Sequence, residues 1–401
     1  MEEWKEYRLG DIAIAVKDRI DTSVLDRESY ISTENMLPDK AGVSLSSGVP
    51  LGNAIKFQIG DVLISNIRPY FKKIWRANGI GGCSADVICL RATEKVESHY
   101  LYYLLSQDVF FDYVMQGAKG TKMPRGDRKQ ILQWPVTLPS MEEQNVISSF
   151  LKSLDDKIVV NKRINDNLQH QAQALYKSWF VDYEPFRDGE FVVSEQGEIP
   201  KGWKVGTLGD ICVTNRRNYG SNFTMPIEYI DTGSVTANRI ETIQILNPET
   251  DKIPSRARRA ITEGDILYSS VRPNQRHYAF MYNPSSNMVA STGFVVITAN
   301  WSGYRYMIYQ YLIQDEVIKK LQAIAEQSVS TYPSINASDI TNMSIVIPPN
   351  EIVGKYAGLA RSFIAQIDKN QQESRRLAQL RDTLLPRLMS GEIDINEIKV
   401  G

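Results

Sequence analysis

The chain has 401 residues, 42% hydrophobic, 23% charged and 9% aromatic, an ordinary globular composition that excludes disorder, collagen and fibrous repeats and predicts two or three folded units. No apolar run approaches the roughly 18 residues of a membrane span, and the opening Met1-Glu2-Glu3-Trp4-Lys5-Glu6 lacks the features of a signal peptide, so a soluble, cytoplasmic protein with no membrane contact is expected. Three cysteines (Cys83, Cys89, Cys212) and three histidines (His99, His170, His277) are too few and scattered for a disulfide framework or a zinc site, and a net charge of −1 leaves local basic clusters to decide on a polyanionic partner.

In chain order, a first segment (1–141) opens with Trp4 and Leu9-Gly10-Asp11-Ile12. It continues through short strand candidates at Val62-Leu63-Ile64 and Val87-Ile88-Cys89-Leu90, and then a helical stretch over Tyr100–Asp112 whose apolar positions are Leu101, Leu104, Leu105 and Val109. This reads as mixed α and β. The pattern then changes. Ile147, Leu151, Leu154, Ile158, Asn161, Asn165, Leu168, Ala172, Leu175 and Trp179 alternate spacings of four and three, the seam of a coiled coil, and no Pro or Gly interrupts Glu142 to Asp182. The segment 142–182 is therefore predicted as one long helix, Glu142–Phe180, of about 60 Å. A linker (183–202), a second globular segment (203–350), a second long helix of roughly Glu351–Leu388 within 351–389, and a tail (390–401) follow. Phe294-Val295-Val296-Ile297 and Ser344-Ile345-Val346-Ile347 are strand candidates of the second segment, and Tyr304–Gln327 has helical spacing.

The second half repeats the first. Trp4, Leu9, Gly10, Asp11 and Ile12 return as Trp203, Leu208, Gly209, Asp210 and Ile211. Gly60, Asp61, Leu63, Arg68 and Pro69 return as Gly264, Asp265, Leu267, Arg272 and Pro273, and Ile158, Asn161, Leu168 and Leu175 answer to Ile367, Asn370, Leu377 and Leu384. The offset grows from 199 through 204 to 209, as expected when one plan is used twice with insertions in surface connections. Asn161 and Asn370 at matching seam positions are expected to fix the register of two rods packed on each other. The tail Gly391-Glu392-Ile393 resembles Gly197-Glu198-Ile199, so the chain stops where a third copy would begin. The predicted fold class is α+β: two pseudo-symmetric mixed α/β domains separated by two long antiparallel coiled-coil helices.

Enzymatic motifs are missing: there is no phosphate-binding loop, dinucleotide fingerprint, nucleophile elbow or Asn-Pro-Pro-aromatic tetrapeptide. Gly79-Ile80-Gly81-Gly82 reads as a turn, and Asp155-Asp156-Lys157 as a solvated helix face rather than a nuclease triplet. Basic clusters carry more information. Arg68, Lys72, Lys73 and Arg76 lie beside Tyr70, Phe71 and Trp75, and Lys119, Thr121, Lys122, Arg125, Arg128 and Lys129 lie in a Gly-rich stretch. The second copy has Arg216 and Arg217, then Arg256, Arg258 and Arg259, then Arg272 and Arg276. Cations alternating with small polar residues on loops suit a phosphate backbone and base edges, although any one cluster also suits a solubilising surface. Gly120-Thr121-Lys122-Met123-Pro124 and Ser330-Thr331-Tyr332-Pro333 occupy matching places with different side chains, which predicts two unlike targets on one duplex, one or more helical turns of about 34–36 Å apart.

The doubled Trp-x-x-x-x-Leu-Gly-Asp-Ile opening, Gly-Asp-x-Leu-x-Ser-x-x-Arg-Pro, Leu-Pro-x-x-Glu-Glu-Gln at 138–144, Leu-Asp-x-Lys-Ile at 154–158 and Leu-Met-Ser-Gly-Glu-Ile at 388–393 together resemble the specificity (S) subunit of type I DNA restriction-modification systems. The resemblance implies two target-recognition domains that read a bipartite asymmetric site in double-stranded DNA. It implies helices that act as a ruler and dock two methyltransferase (M) subunits and, through them, restriction (R) subunits. It also implies no catalysis or cofactor on this chain, S-adenosylmethionine, ATP and Mg being expected on the partners. DNA contact falls to the basic loops and to Ser330, Thr331 and Tyr332. Partner contact falls to the long helices, with Trp179 and Phe180 as candidates, for which intramolecular packing is the alternative. Pro349-Asn350-Glu351-Ile352-Val353 departs from the Glu-Gln entry of the first helix. A stand-alone DNA-modifying enzyme and a protein-binding coiled-coil scaffold are the competing readings.

Overall fold

The computed structural model describes residues 4–220, 222–327 and 333–393. The chain folds as two units, Met1–Val159 with Ser374–Gly401, and Val160–Glu373. Each holds one globular domain and about half of both long helices, Met141–Phe180 and Asn350–Met389. The sequence pattern suggests domains joined by independent rods, whereas the helices belong to the domain cores. In the first unit Ile147 and Leu151 share a buried cluster with Leu385, Leu388 and Met389 beneath Leu101, Leu104 and Phe110. In the second, Tyr176 and Phe180 pack with Val353, Tyr356, Ala360 and Ile364.

The repeat is legible as hydrogen bonds. Lys5–Arg8 pairs antiparallel with Pro135–Leu138, and Lys204–Thr207 with Ser344–Ile347, so each domain closes on itself immediately before its long helix. The Leu-Gly-Asp-Ile element forms one helical turn in both copies. Asp11 accepts the Arg8 backbone N–H at 2.8 Å and Asp210 that of Thr207 at 2.7 Å, while Leu9 and Leu208 are fully buried. Gly10 sits at a close approach: a Cβ there would meet the Leu132 carbonyl oxygen at 3.2 Å, and one on Gly209 that of Thr341 at 3.3 Å. In the Gly-Asp-x-Leu element the buried Asp61 accepts the Gln58 N–H at 2.9 Å and a two-pronged contact from Arg91, and the buried Asp265 accepts the Thr262 N–H at 2.7 Å.

Each domain carries two four-stranded sheets. The first sheets correspond strand for strand, in the orders Ala13–Ala15, Val87–Ala92, Val62–Ser65, Ile74–Arg76 and Cys212–Thr214, Phe294–Ala299, Ile266–Ser269, Tyr278–Phe280. The second sheets share a core, a central strand (Gly81–Cys83; Met288–Ser291) with a parallel neighbour (Tyr30–Ile31; Ile227–Ile230) and an antiparallel one (Asn53–Phe57; Ala257–Ala260). They differ in the fourth strand. Arg19–Asp21 pairs with Asn53–Phe57, whereas Gln244–Leu246 pairs with Ile227–Ile230, at the opposite edge. Gln244–Leu246 lies in the stretch over which the offset rises from 199 to 204.

The helix seam is buried or half-buried at all ten positions predicted for it. In the second unit the Asn161 side-chain amide donates to the Asn370 carbonyl at 3.5 Å and to Glu373 at 2.8 Å. Asn165 donates to the Ile367 carbonyl at 3.2 Å and accepts from Asn370 at 2.8 Å, a pairing that runs antiparallel. Despite the departure at 349–353, the second helix starts at Asn350. Asp155 is not a solvated face: it accepts from Arg381 at 2.6 Å and from the Tyr103 hydroxyl at 2.7 Å, joining both helices to the first domain. Two described residues of the tail can be compared with the earlier junction. Gly391 lies against Trp4 and Ile393 packs on the first core, as Ile199 packs with Trp203 in the second.

Candidate nucleic-acid interface

The Ser-x-x-Arg-Pro element makes the same turn twice. Pro69–Phe71 and Pro273–Gln275 are single 3-10 turns, and the cations flanking them are left-handed: Arg68 and Lys72 both at φ 50°, Arg272 and Arg276 at 48° and 57°. Such residues cost on the order of 1–2 kcal/mol each and persist where surrounding bonds fix them. The Ser65 and Ser269 hydroxyls donate to the carbonyls of Ile67 and Val271 at 3.0 Å, and the N–H groups of Arg68 and Arg272 donate to the carbonyls of Pro124 and Pro333 at 2.8 and 3.0 Å.

That last bond joins two clusters some fifty residues apart. Lys119 and Arg125 exchange backbone hydrogen bonds of 2.9 Å each way, closing a loop whose tip, Gly120–Met123, is exposed, with Met123 at 50%. Arg68, Lys119, Thr121, Lys122 and Arg125 thus share one basic surface, with Arg128 and Lys129 following directly. Lys119 is 86% and Arg125 57% exposed at the side chain, and they face Asp127 at 3.7 Å and Asp86 at 3.4 Å, loose surface pairs that contribute little and exchange readily for phosphate. Asp127 caps the helix Arg128–Ile131. Its carboxyl is held below the usual carboxylate range by the N–H groups of Lys129 and Gln130. The Arg128 guanidinium donates to the Ala85 carbonyl.

Lys73 and Arg76 turn toward the domain interior. Arg76 donates to the Ser98 hydroxyl at 2.8 Å, and burial lowers its pKa. Lys73 donates to the Thr33 carbonyl at 2.7 Å from within a half-buried site. Both act as structural clamps, because strand Ile74–Arg76 and the residue before it face the helix Ser98–Leu105 and the loop at Thr33. Lys72 and Arg276 pair with Asp108 at 3.0 Å and Asp315 at 2.8 Å, in the first turns of equivalent helices, and Lys40, unremarkable in the sequence, joins Asp108 at 3.1 Å. No local charge run marks Lys40; only the fold brings it there.

In the second domain Arg216 and Arg217 are exposed beside the strand Ala257–Ala260, with the Tyr219 N–H on the Arg258 carbonyl at 2.7 Å and the Arg259 guanidinium on Asn218 at 2.8 Å. Arg258 donates to the Ser255 carbonyl at 3.1 Å. The exposed Arg256 accepts the Thr292 N–H at 2.8 Å, and the adjacent Gly293 accepts that of Ser270, which links this edge to the Arg272 turn. Ser330, Thr331 and Tyr332 lie outside the described residues.

The candidate docking pair lies against the core of the second unit. Phe180 is 7% exposed, in an aromatic cluster with Tyr356 at 4.7 Å and Trp203 at 6.0 Å between ring centroids. Trp179 is half-buried against Phe186 and Tyr356 at 5.8 and 5.9 Å. The Phe180 ring is enclosed by the core that the helix end enters and the Trp179 ring lies at its margin, so both take part in intramolecular packing. Among the described residues no group of His, Cys, Asp and Glu could hold a metal ion, and no helix is long and apolar enough to cross a membrane.

Two domains of one plan, each ending in a long helix and each carrying cations on a left-handed turn, match the sequence model of the type I restriction modification DNA specificity domain over residues 1–170 and 200–380. The chain belongs to that family of type I restriction-modification specificity subunits. It is 28% identical to the type I restriction enzyme MjaIX specificity subunit of Methanocaldococcus jannaschii over 76% of this chain and 71% of that one. It is 25% identical to the HindI specificity subunit of Haemophilus influenzae over 98% and 100%. Among solved structures, the type I restriction-modification S subunit from M. genitalium shares the fold, with a TM-score of 0.52 at 14% identity over 96% of both chains.

Proposed function

We propose that this specificity subunit reads a bipartite, asymmetric site in double-stranded DNA, one half per domain, and is not itself catalytic. Two methyltransferase subunits dock on it and recruit restriction subunits; the chemistry belongs to those partners. The observation that carries this reading is a shared frame with unlike reading surfaces. The strained Arg-Pro turn recurs in both domains, yet its surroundings differ in sequence and in the edge at which the fourth strand pairs. A common frame gives common phosphate contacts, and unlike side chains give unlike base preferences. Arg68, Lys119, Thr121, Lys122, Arg125, Arg128 and Lys129 serve one half-site, and Arg216, Arg217, Arg256, Arg258, Arg259 and Arg272 the other. Besides the half-buried Trp179, the long helices offer other apolar groups to a partner: Val160 and Ile164, one turn apart, are 44% and 41% exposed.

The test is to incubate DNA with this chain and its methyltransferase partners and to map the methylated adenines. Two separated, non-identical half-sites are expected. A single contiguous motif, or S-adenosylmethionine turnover by this chain alone, would contradict the proposal.

A further inference from the structure

Resting on that reading, we infer that Asn238 and Gln371 are positioning residues for DNA recognition by the second domain: they tie the turn bearing Arg272 and Arg276 to the long helix Asn350–Met389. The tie is a short hairpin, Val235–Thr236 with Arg239–Ile240, whose tip residues Ala237 and Asn238 are left-handed at φ 46° and 65°. On one side the hairpin grips the basic turn. The Ala237 N–H donates to the Arg276 carbonyl at 2.8 Å, the Asn238 N–H to the Tyr278 carbonyl at 2.8 Å, and the Asn238 side-chain oxygen accepts the Phe280 N–H at 2.8 Å. His277 Nδ1 lies 2.5 Å from the Val235 carbonyl oxygen.

On the other side the hairpin meets the helices. The Gln371 side-chain amide donates to the Asn238 carbonyl at 2.6 Å, and Arg239 faces Asp166 at 3.8 Å. Asn238, only 7% exposed, is thus bonded through its N–H and its side chain to the strand Tyr278–Phe280 and through its carbonyl to the helix Asn350–Met389. Asn suits that position because its short polar side chain tolerates a left-handed backbone. The first domain uses the same device with another anchor. Left-handed Asp39 and Lys40 donate to the carbonyls of Phe71 and Lys72 at 2.9 and 3.1 Å, but Lys40 then pairs with Asp108 inside its own domain. Gln371 sits one residue from the seam Asn370, where the helices fix their register, so in the second domain the orientation of the reading turn follows the helix pair.

The experiment uses the full chain assembled with its methyltransferase partners and duplexes carrying the mapped site, or that site with one base pair changed in either half. Arg272→Ala identifies the half-site of the second domain. Gln371→Glu, which turns the donor into an acceptor facing a carbonyl, is expected to lower discrimination at that half-site by about two- to tenfold, the worth of one hydrogen bond, and to leave the other half unchanged. The amides of Asn238 and Tyr278 should exchange faster with solvent. Gln371→Lys, which keeps a donor, should restore most of the loss. Unchanged discrimination in Gln371→Glu, or equal loss at both halves, overturns the positioning role alone. A wild-type complex without sequence preference overturns the functional reading and this role with it.

Discussion

Lys122 and Arg76 have the same formal charge and opposite duties. Lys122 stands exposed at the tip of a closed loop, while Arg76 is half-buried and clamped on Ser98. Replacing Lys122 with Ala should therefore weaken DNA binding with little effect on stability, and should reduce the slope of log affinity against log salt by about 0.9 if it neutralises one phosphate. Arg76→Ala should instead destabilise the first domain by about 1–3 kcal/mol in urea unfolding, with an unchanged salt slope. Phe180→Ala belongs with Arg76. Losing a core aromatic should cost about 3–5 kcal/mol, whereas a docking residue would show its effect in partner affinity alone. Charge and ring content were readable in the sequence. Direction was not, because Lys72, Lys73 and Arg76 are adjacent along the chain yet face Asp108, Thr33 and Ser98.

At the scale of the element, helix periodicity carried the most information. A seam of alternating fours and threes located both long helices and brought Asn161 to Asn370, since one buried stripe constrains every third or fourth residue alike. Caps were less visible. Glu97 caps the helix Ser98–Leu105, accepting the Tyr100 N–H at 2.8 Å, with His99 Nδ1 at 3.1 Å. Burial alone would raise its pKa, but these contacts together outweigh it and hold the carboxyl at about 2. A depressed carboxylate stabilises the fold fully above its unfolded pKa and loses that contribution as pH falls. Glu97→Gln should therefore be less stable than wild type at pH 7, by about 1 kcal/mol, and the gap should close between about pH 4.5 and pH 2 in denaturant titrations. The fourth strand of each second sheet was illegible, because three residues such as Arg19–Asp21 or Gln244–Leu246 leave no period to detect.

For the whole molecule the repeat was the decisive signal. It exposed two domains, two helices and a tail resembling an earlier junction before any local structure was assigned. The surprise lies in the grouping: each domain owns half of both helices, because the apolar ends of those helices complete the domain cores at Leu388 and Tyr356. The central claim is that these two units read two unlike half-sites independently. Its most direct test compares methylated sites mapped for the complex of wild type with partners and for the complex carrying Lys122, Arg125 and Arg128 all changed to Ala. The account predicts relaxed or weakened recognition at one half-site with the other intact. Equal loss at both halves would contradict it.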